Sequence, residues 1–234
     1  MPLTEHRSDS RLSNRLTAVA SLVPPCRRLL DIGTDHAWLP ISLISHQHCQ
    51  TAIAIDIRKG PLAIASRNIK AAGLADKIEI LQSDGLNSLE LQPDDVVVIA
   101  GMGGYEMMDI LGDQPRQCRA IVLQPMKSLP ELRLWLGRHG YLIDEETLAD
   151  EEHRHYTIIR CHYDGQPYEM TLLQAQVGPI LLERQPPGFA GHLHRLLIRL
   201  EKQKQSQPEL AVVIAGIREL QMRHDTSSNQ EGST

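Results

Sequence analysis

The sequence predicts an α/β fold: a Rossmann-like, doubly wound sheet of seven strands, the last one antiparallel, with a small helical domain at its C-terminal end. Three observations carry this. Apolar, β-branched runs alternate with stretches at helical spacing, and the run Val96-Val97-Val98-Ile99-Ala100 reads as a central strand covered on both faces. Two early strands end in carboxylates, Asp31 and Asp56, the first of them just before the glycine turn at Gly33. After about Asp164 the strand signals stop and only helical patterns remain.

The elements follow in order. Leu16, Val19, Ala20 and Val23 share a helical face that Pro24-Pro25 ends. Strand one is expected at 28–32, a helix at 36–45 and strand two at 51–57. Gly60-Pro61 opens a second crossover helix that closes at Gly73. Ile78-Glu79-Ile80-Leu81 alternates as strand three, and Val96–Ala100 is strand four, broken sharply at Gly101. A helix resumes at Tyr105, strand five follows at Ala120–Pro125, and a helix at 130–139 is closed by Gly140. The stretches 141–148 and 155–163 form a final antiparallel pair. These boundaries give a domain at 1–164 that includes the N-terminal helix, a helical, coiled-coil-like domain at 165–224 and a disordered tail at 225–234. In the helical part, Leu193, Leu196, Leu197 and Leu200 share one face, and Leu210, Val213, Ile214, Ile217 and Leu220 another, as in two antiparallel helices.

The 234 residues suffice for one sizeable core and an appendage. No apolar run reaches bilayer length and the first residues hold no signal-peptide core, so a cytoplasmic protein without a membrane partner is expected. The cysteines Cys26, Cys49, Cys118 and Cys161 are scattered and read as buried free thiols. The histidine pairs lack ligand partners at recognisable spacing, so no metal is expected. The net charge of −5 is not that of a generally basic nucleic-acid binder, and aromatic content of 3% leaves no base-stacking platform. Residues 1–28 are nonetheless locally basic, with Arg7, Arg11, Arg15, Arg27 and Arg28 against Glu5 and Asp9.

The chemistry concentrates at the strand ends. The first loop departs from G-x-G-x-x-G, because Asp35 and Trp38 stand near the later glycine positions. A pyrophosphate would meet the Asp35 carboxylate, so a cofactor with a sulfonium and an ammonium fits better than a dinucleotide. S-adenosylmethionine has these features. Asp31 or Asp35 would accept from its ammonium, and Gly33, Thr34 and His36 complete the loop around it. Asp56 would take the ribose hydroxyls and Ile57 cover one adenine face. Asp84 would hold the adenine amino group, with Gly85 leaving room for the ring. Gly101 and Met102 would lie near the transferred group, and Gly103 and Gly104 would shape the acceptor site. The absence of Asn-Pro-Pro-Tyr makes an exocyclic adenine amine a poor acceptor.

Taken together, the segments Asp31–Pro40, Lys59–Leu62, Ser83–Leu86 and Ile99–Gly104 resemble those of the bacterial tRNA (adenine-N1)-methyltransferases that act on position 22. Gln124-Pro125-Met126, the Leu132–Leu136 helix with Gly140-Tyr141, and Gly178–Leu182 extend the resemblance over roughly residues 11–200. It implies a class I methyltransferase domain, a helical C-terminal domain, S-adenosylmethionine as cofactor and tRNA as partner. Trp38 departs from the tyrosine usual in that family. On this reading Asp35 is the catalytic candidate, orienting the base or stabilising positive charge. Arg7, Arg11 and Arg15 grip tRNA phosphates, in a monomer or weak dimer. A methyltransferase of small metabolites or of another RNA, and a non-catalytic RNA-binding relative, are the competing readings.

Overall fold

The computed structural model describes residues 12–87, 89–112 and 117–231, with side chains to 223. Strands β1 (Cys26–Ile32), β2 (Cys49–Asp56), β3 (Ile78–Gln82), β4 (Asp95–Gly103), β5 (Ala120–Lys127), β6 (Tyr141–Glu151) and β7 (Arg154–Tyr163) form one seven-stranded sheet in the order β3-β2-β1-β4-β5-β7-β6. The first five are parallel, and β7 runs antiparallel to both β5 and β6. This is the Rossmann-like, doubly wound sheet that the sequence predicts.

Helices α1 (Asn14–Leu22), α2 (Trp38–Ser45) and α3 (Lys59–Ala71) cover one face of the sheet, and α4 (Gly104–Leu111) and α5 (Leu129–Arg138) the other. The alternation in β4 shows why its whole run is apolar. Val96 and Val98 enter the first core and Val97 and Ile99 the second, and all four are completely buried. Helix α1 begins at Ser13, whose hydroxyl accepts from the Leu16 N–H.

Strand β4 does not break at Gly101, as the glycine run suggested. It continues to Gly103, with Met102 opposite Pro125 and Gly103 opposite Lys127. The register shifts on both sides of Met102. Gly101 has φ +80, so it absorbs the extra residue as a bulge while the ladder carries on.

Beyond the sheet lie α6 (Leu172–Val177), α7 (Pro179–Arg184), α8 (Phe189–Gln203) and α9 (Leu210–Glu231). They gather a third core in which Leu193, Leu196 and Leu200 meet Leu210, Val213, Ile214 and Ile217. Pro179 and the Pro186–Gly188 break separate the helices where the sequence predicts. Helix α9 runs on to Glu231, past Asp225, where a disordered tail was expected to begin; no proline or glycine interrupts it after Gly216.

A buried ion pair joins this helical part to the sheet. Arg133 of α5 donates from Nε to Glu146 Oε1 at 2.8 Å, and both side chains are fully buried. The guanidinium also donates to the carbonyls of Ala175, Gln176 and Val177, which close α6. Glu146 in turn accepts the N–H groups of Ile180 and Leu181 in the first turn of α7. One pair thus satisfies orphan groups at the end of one helix and the start of the next. A Cβ on Gly178, between them, would lie 2.6 Å from Glu146 Oε2 and 2.7 Å from Arg133 Nη2. Gly178→Ala is therefore expected to lower the thermal midpoint by several degrees, and an unchanged midpoint would show that the pair can give way.

The cysteines form no disulfide. Cys26 and Cys49, register neighbours at the starts of β1 and β2, bring their sulfurs within 2.7 Å. Among the described residues, no helix is long and apolar enough to cross a membrane.

Candidate active site

The carboxyl ends of β1, β2, β3 and β4 surround a cavity of about 630 Å³. The sheet order brings Asp84, just past β3, Asp56, the last residue of β2, and Asp31, the residue before the end of β1, onto three adjacent strand ends. All three line the cavity, as do Gly33, Thr34, Asp35, His36, Ile57, Gly85, Gly101, Met102 and Arg15 from the sequence reading. Gly103 and Gly104 lie outside it. Their missing side chains make room for the β5–α5 turn instead, because a Cβ on Gly104 would lie 2.4 Å from the Ser128 carbonyl oxygen and one on Gly103 2.9 Å from Lys127 Cε. Arg7 and Arg11 lie outside the described residues.

The loop after β1 is held to β2 by its backbone. The N–H groups of Gly33 and Thr34 both donate to the Ile55 carbonyl, at 2.8 and 2.9 Å. Gly33 has φ +72, and the Met102 methyl sits where its Cβ would be. Asp35 and Ala37 then take left-handed backbone conformations, with φ 51 and 58. Strain of this kind in non-glycine residues concentrates at functional loops. It turns the Asp35 side chain outward, 63% exposed, with its carboxylate 3.7 Å from His36 Nε2.

Asp31 is the opposite case. It is 5% exposed, and its Oδ2 accepts from the Thr34 hydroxyl at 2.7 Å. Burial pushes its carboxyl up to about 6; the Thr34 bond works against this and the nearby Asp56 adds to it. A carboxylate buried beneath a cavity suits a cationic ligand group. Asp56 is equally buried, and its Oδ1 accepts from the Arg58 backbone at 2.9 Å. Beside it Ile57 is 57% exposed, an apolar surface that an aromatic ring would cover. The set provides an acceptor for an ammonium, one for ribose hydroxyls and an apolar ledge for a base, which fits an adenosine carrying an amino-acid group.

Sequence reasoning missed Arg58, Glu106 and Ile110, all of which line the cavity. Arg58 Nε reaches Asp56 Oδ1 at 3.5 Å, and Glu106 accepts the Gly103 N–H at 3.4 Å. The signal for the last two was present. Glu106 stands three residues after Gly103, the residue that precedes α4, and Ile110 one turn beyond on the same face.

Arg15 reaches the cavity from α1. Its Nη1 donates to the Oε1 of the completely buried Gln124 at 2.7 Å, and its guanidinium lies 5.8 Å from the centre of the Tyr156 ring. A Cβ on Gly101 would be 3.7 Å from Arg15 Nη1, which places the cation beside the β4 bulge.

Comparison with known proteins agrees with the fold. Residues 12–159 match the family described as "Methyltransferase domain". The tRNA (adenine(22)-N(1))-methyltransferase of Bacillus subtilis is 31% identical over 192 residues, covering 78% of this chain and 79% of its own. M. capricolum TrmK, solved with S-adenosyl-homocysteine, superposes with a TM-score of 0.77 at 29% identity, covering 90% of this chain and 97% of that one. A Streptococcus pneumoniae protein solved with S-adenosyl-L-methionine gives 0.79 at 32% identity, covering 90% and 99%.

Proposed function

The chain belongs to the class I S-adenosylmethionine-dependent methyltransferases, in the family of the tRNA (adenine-N1)-methyltransferases that act on position 22, and from that premise we propose that it methylates N1 of adenine 22 of tRNA. The observation that supports this most is the cavity at the strand ends. It joins the buried Asp31 and Asp56 to an outward-facing Asp35 and a mouth beside Gly101.

When bound, S-adenosylmethionine supplies an electrophilic methyl on sulfur. Asp31, Asp56, Asp84 and Ile57 line the cavity that would receive it; Asp31 would hold the ammonium of its amino-acid group, Asp56 the ribose hydroxyls, and Asp84 and Ile57 the adenine edge and face. Adenine N1 has an in-plane lone pair and no hydrogen, so the protein need not remove a proton to create the nucleophile. The adduct is cationic at first. Asp35, exposed at the mouth, is placed to orient the target base and to stabilise that developing charge. N1 lies on the pairing edge, so a paired adenine must leave its helix first. Arg15, fixed by Gln124 and Tyr156 beside Gly101, grips the target nucleotide at the entrance.

The test is transfer of labelled methyl into two tRNA transcripts that differ only at position 22. Adenine there is expected to accept the methyl and guanine to abolish acceptance; equal labelling of both would overturn the assignment. In single-turnover reactions Asp35→Ala is expected to slow transfer by roughly 10²-fold, with S-adenosylhomocysteine affinity little changed. A near-wild-type rate would remove Asp35 from the chemistry.

A further inference from the structure

A second cavity, of about 470 Å³, lies between the turn after β5, strand β7 and helix α8. Lys127, Arg195 and Arg199 line it, with Gln203 and Gln207, against the single carboxylate Glu131. Arg195 lies 3.7 Å from Asp150. Among the described residues, neither Lys127 nor Arg199 has a carboxylate at ion-pair distance, and Arg199 donates only to the neutral amide of Gln176, at 3.2 Å. Packing around Arg199 and repulsion from Arg133 hold its pKa below the usual arginine value, and the attraction of Glu131 on the same wall does not offset them. His192, also on this wall, is pushed down to about 4 by burial and by Arg133, so it is neutral near pH 7 and donates from Nε2 to the Val177 carbonyl.

The two cavities adjoin. Tyr156 lines the second, and Arg15, which lines the first, lies over its ring. Lys127 packs against Gly103, two residues from the β4 bulge at Gly101. Cations and amide donors without matching carboxylates are the groups that hold a phosphate oxygen, whereas an acidic peptide would also call for an apolar anchor. We propose that this second cavity holds a phosphodiester of the RNA strand next to the target nucleotide, with Lys127 and Arg199 as its cations and Gln203 and Gln207 as donors. The proposal rests on tRNA being the substrate. It gives the helical C-terminal part a direct part in positioning the base, through α8 rather than through a distal contact.

The test compares wild type with Lys127→Gln and Arg199→Gln. For each variant, tRNA affinity is expected to fall roughly threefold to tenfold. The slope of log affinity against log salt is expected to shrink by about 0.7–0.9, as for one lost phosphate contact. S-adenosylhomocysteine affinity should stay unchanged. Unchanged tRNA affinity and slope in both variants, with wild type methylating tRNA, would overturn the proposal. So would a parallel loss of S-adenosylhomocysteine affinity, because the residues would then act through the fold. Inorganic phosphate separates the two sources of a phosphate group. If the variants lose a response to it while tRNA affinity holds, the cavity is a free-phosphate site and the RNA assignment falls. Wild type that fails to methylate tRNA overturns the substrate reading itself and takes this proposal with it.

Discussion

Arg133→Met is expected to destabilise the protein by about 3–5 kcal/mol, the cost of leaving one member of a buried ion pair alone. Glu146 would remain fully buried without its cation, and the Ala175, Gln176 and Val177 carbonyls would lose their donor. The reverse change, Glu146→Leu, strands the guanidinium and the N–H groups of Ile180 and Leu181. Removing both charges is expected to cost less than the sum of the single changes, because neither leaves a naked charge behind. Denaturant titration of the three variants measures this. Strict additivity would mean that the pair is not coupled, and a loss below about 1 kcal/mol for Arg133→Met would mean that water or a rearranged side chain replaces the guanidinium. Because the pair fastens α6 and α7 to β6 and α5, loosening it should also expose the C-terminal helices to protease before the sheet.

Asp31→Asn is expected to weaken S-adenosylhomocysteine binding by roughly tenfold to hundredfold, the worth of a hydrogen bond to a charged group. The same change is expected to stabilise the empty protein near neutral pH. The folded carboxyl, at about 6, holds its proton more tightly than an unfolded aspartate with its ordinary value of 3.8. The folded state therefore binds more protons between these values, and stability falls as pH rises through that window. Asparagine carries no charge to desolvate and removes this fall. In the wild-type protein the ammonium of the ligand needs the carboxylate, so affinity should decline by about tenfold per unit as pH drops below about 6. Calorimetric titration across pH 5–8 with both proteins separates these effects. A variant that binds as tightly as wild type, or one that loses stability along with affinity, would remove Asp31 from its proposed role.

What the sequence made legible is what local pattern controls. The apolar run of β4, the carboxylates at the ends of β1, β2 and β3, and the glycine and proline stops between the C-terminal helices each depend on a few adjacent residues. The cavity followed from them because neighbouring parallel strands bring their ends together. The run Gly101–Gly104 serves two ends, and the sequence places both of them at the site. Gly101 and Met102 face the cavity, whereas Gly103 and Gly104 make room for the turn after β5. Nothing near them in sequence tells these uses apart. Long-range partners were also hidden. Arg15 and Gln124 are 109 residues apart, and Arg133 reaches carbonyls more than 40 residues away. The second cavity joins strand ends to a helix of the C-terminal part, so no single motif marks it.

Identification of the methylated nucleoside is the decisive experiment. Unmodified tRNA carrying adenine at position 22 is incubated with the protein and S-adenosylmethionine, then digested, and its nucleosides are separated and weighed. The expected product is 1-methyladenosine, located at position 22. Methylation on the exocyclic amine, or at another position, or no methylation by a protein that binds S-adenosylhomocysteine normally, would contradict it.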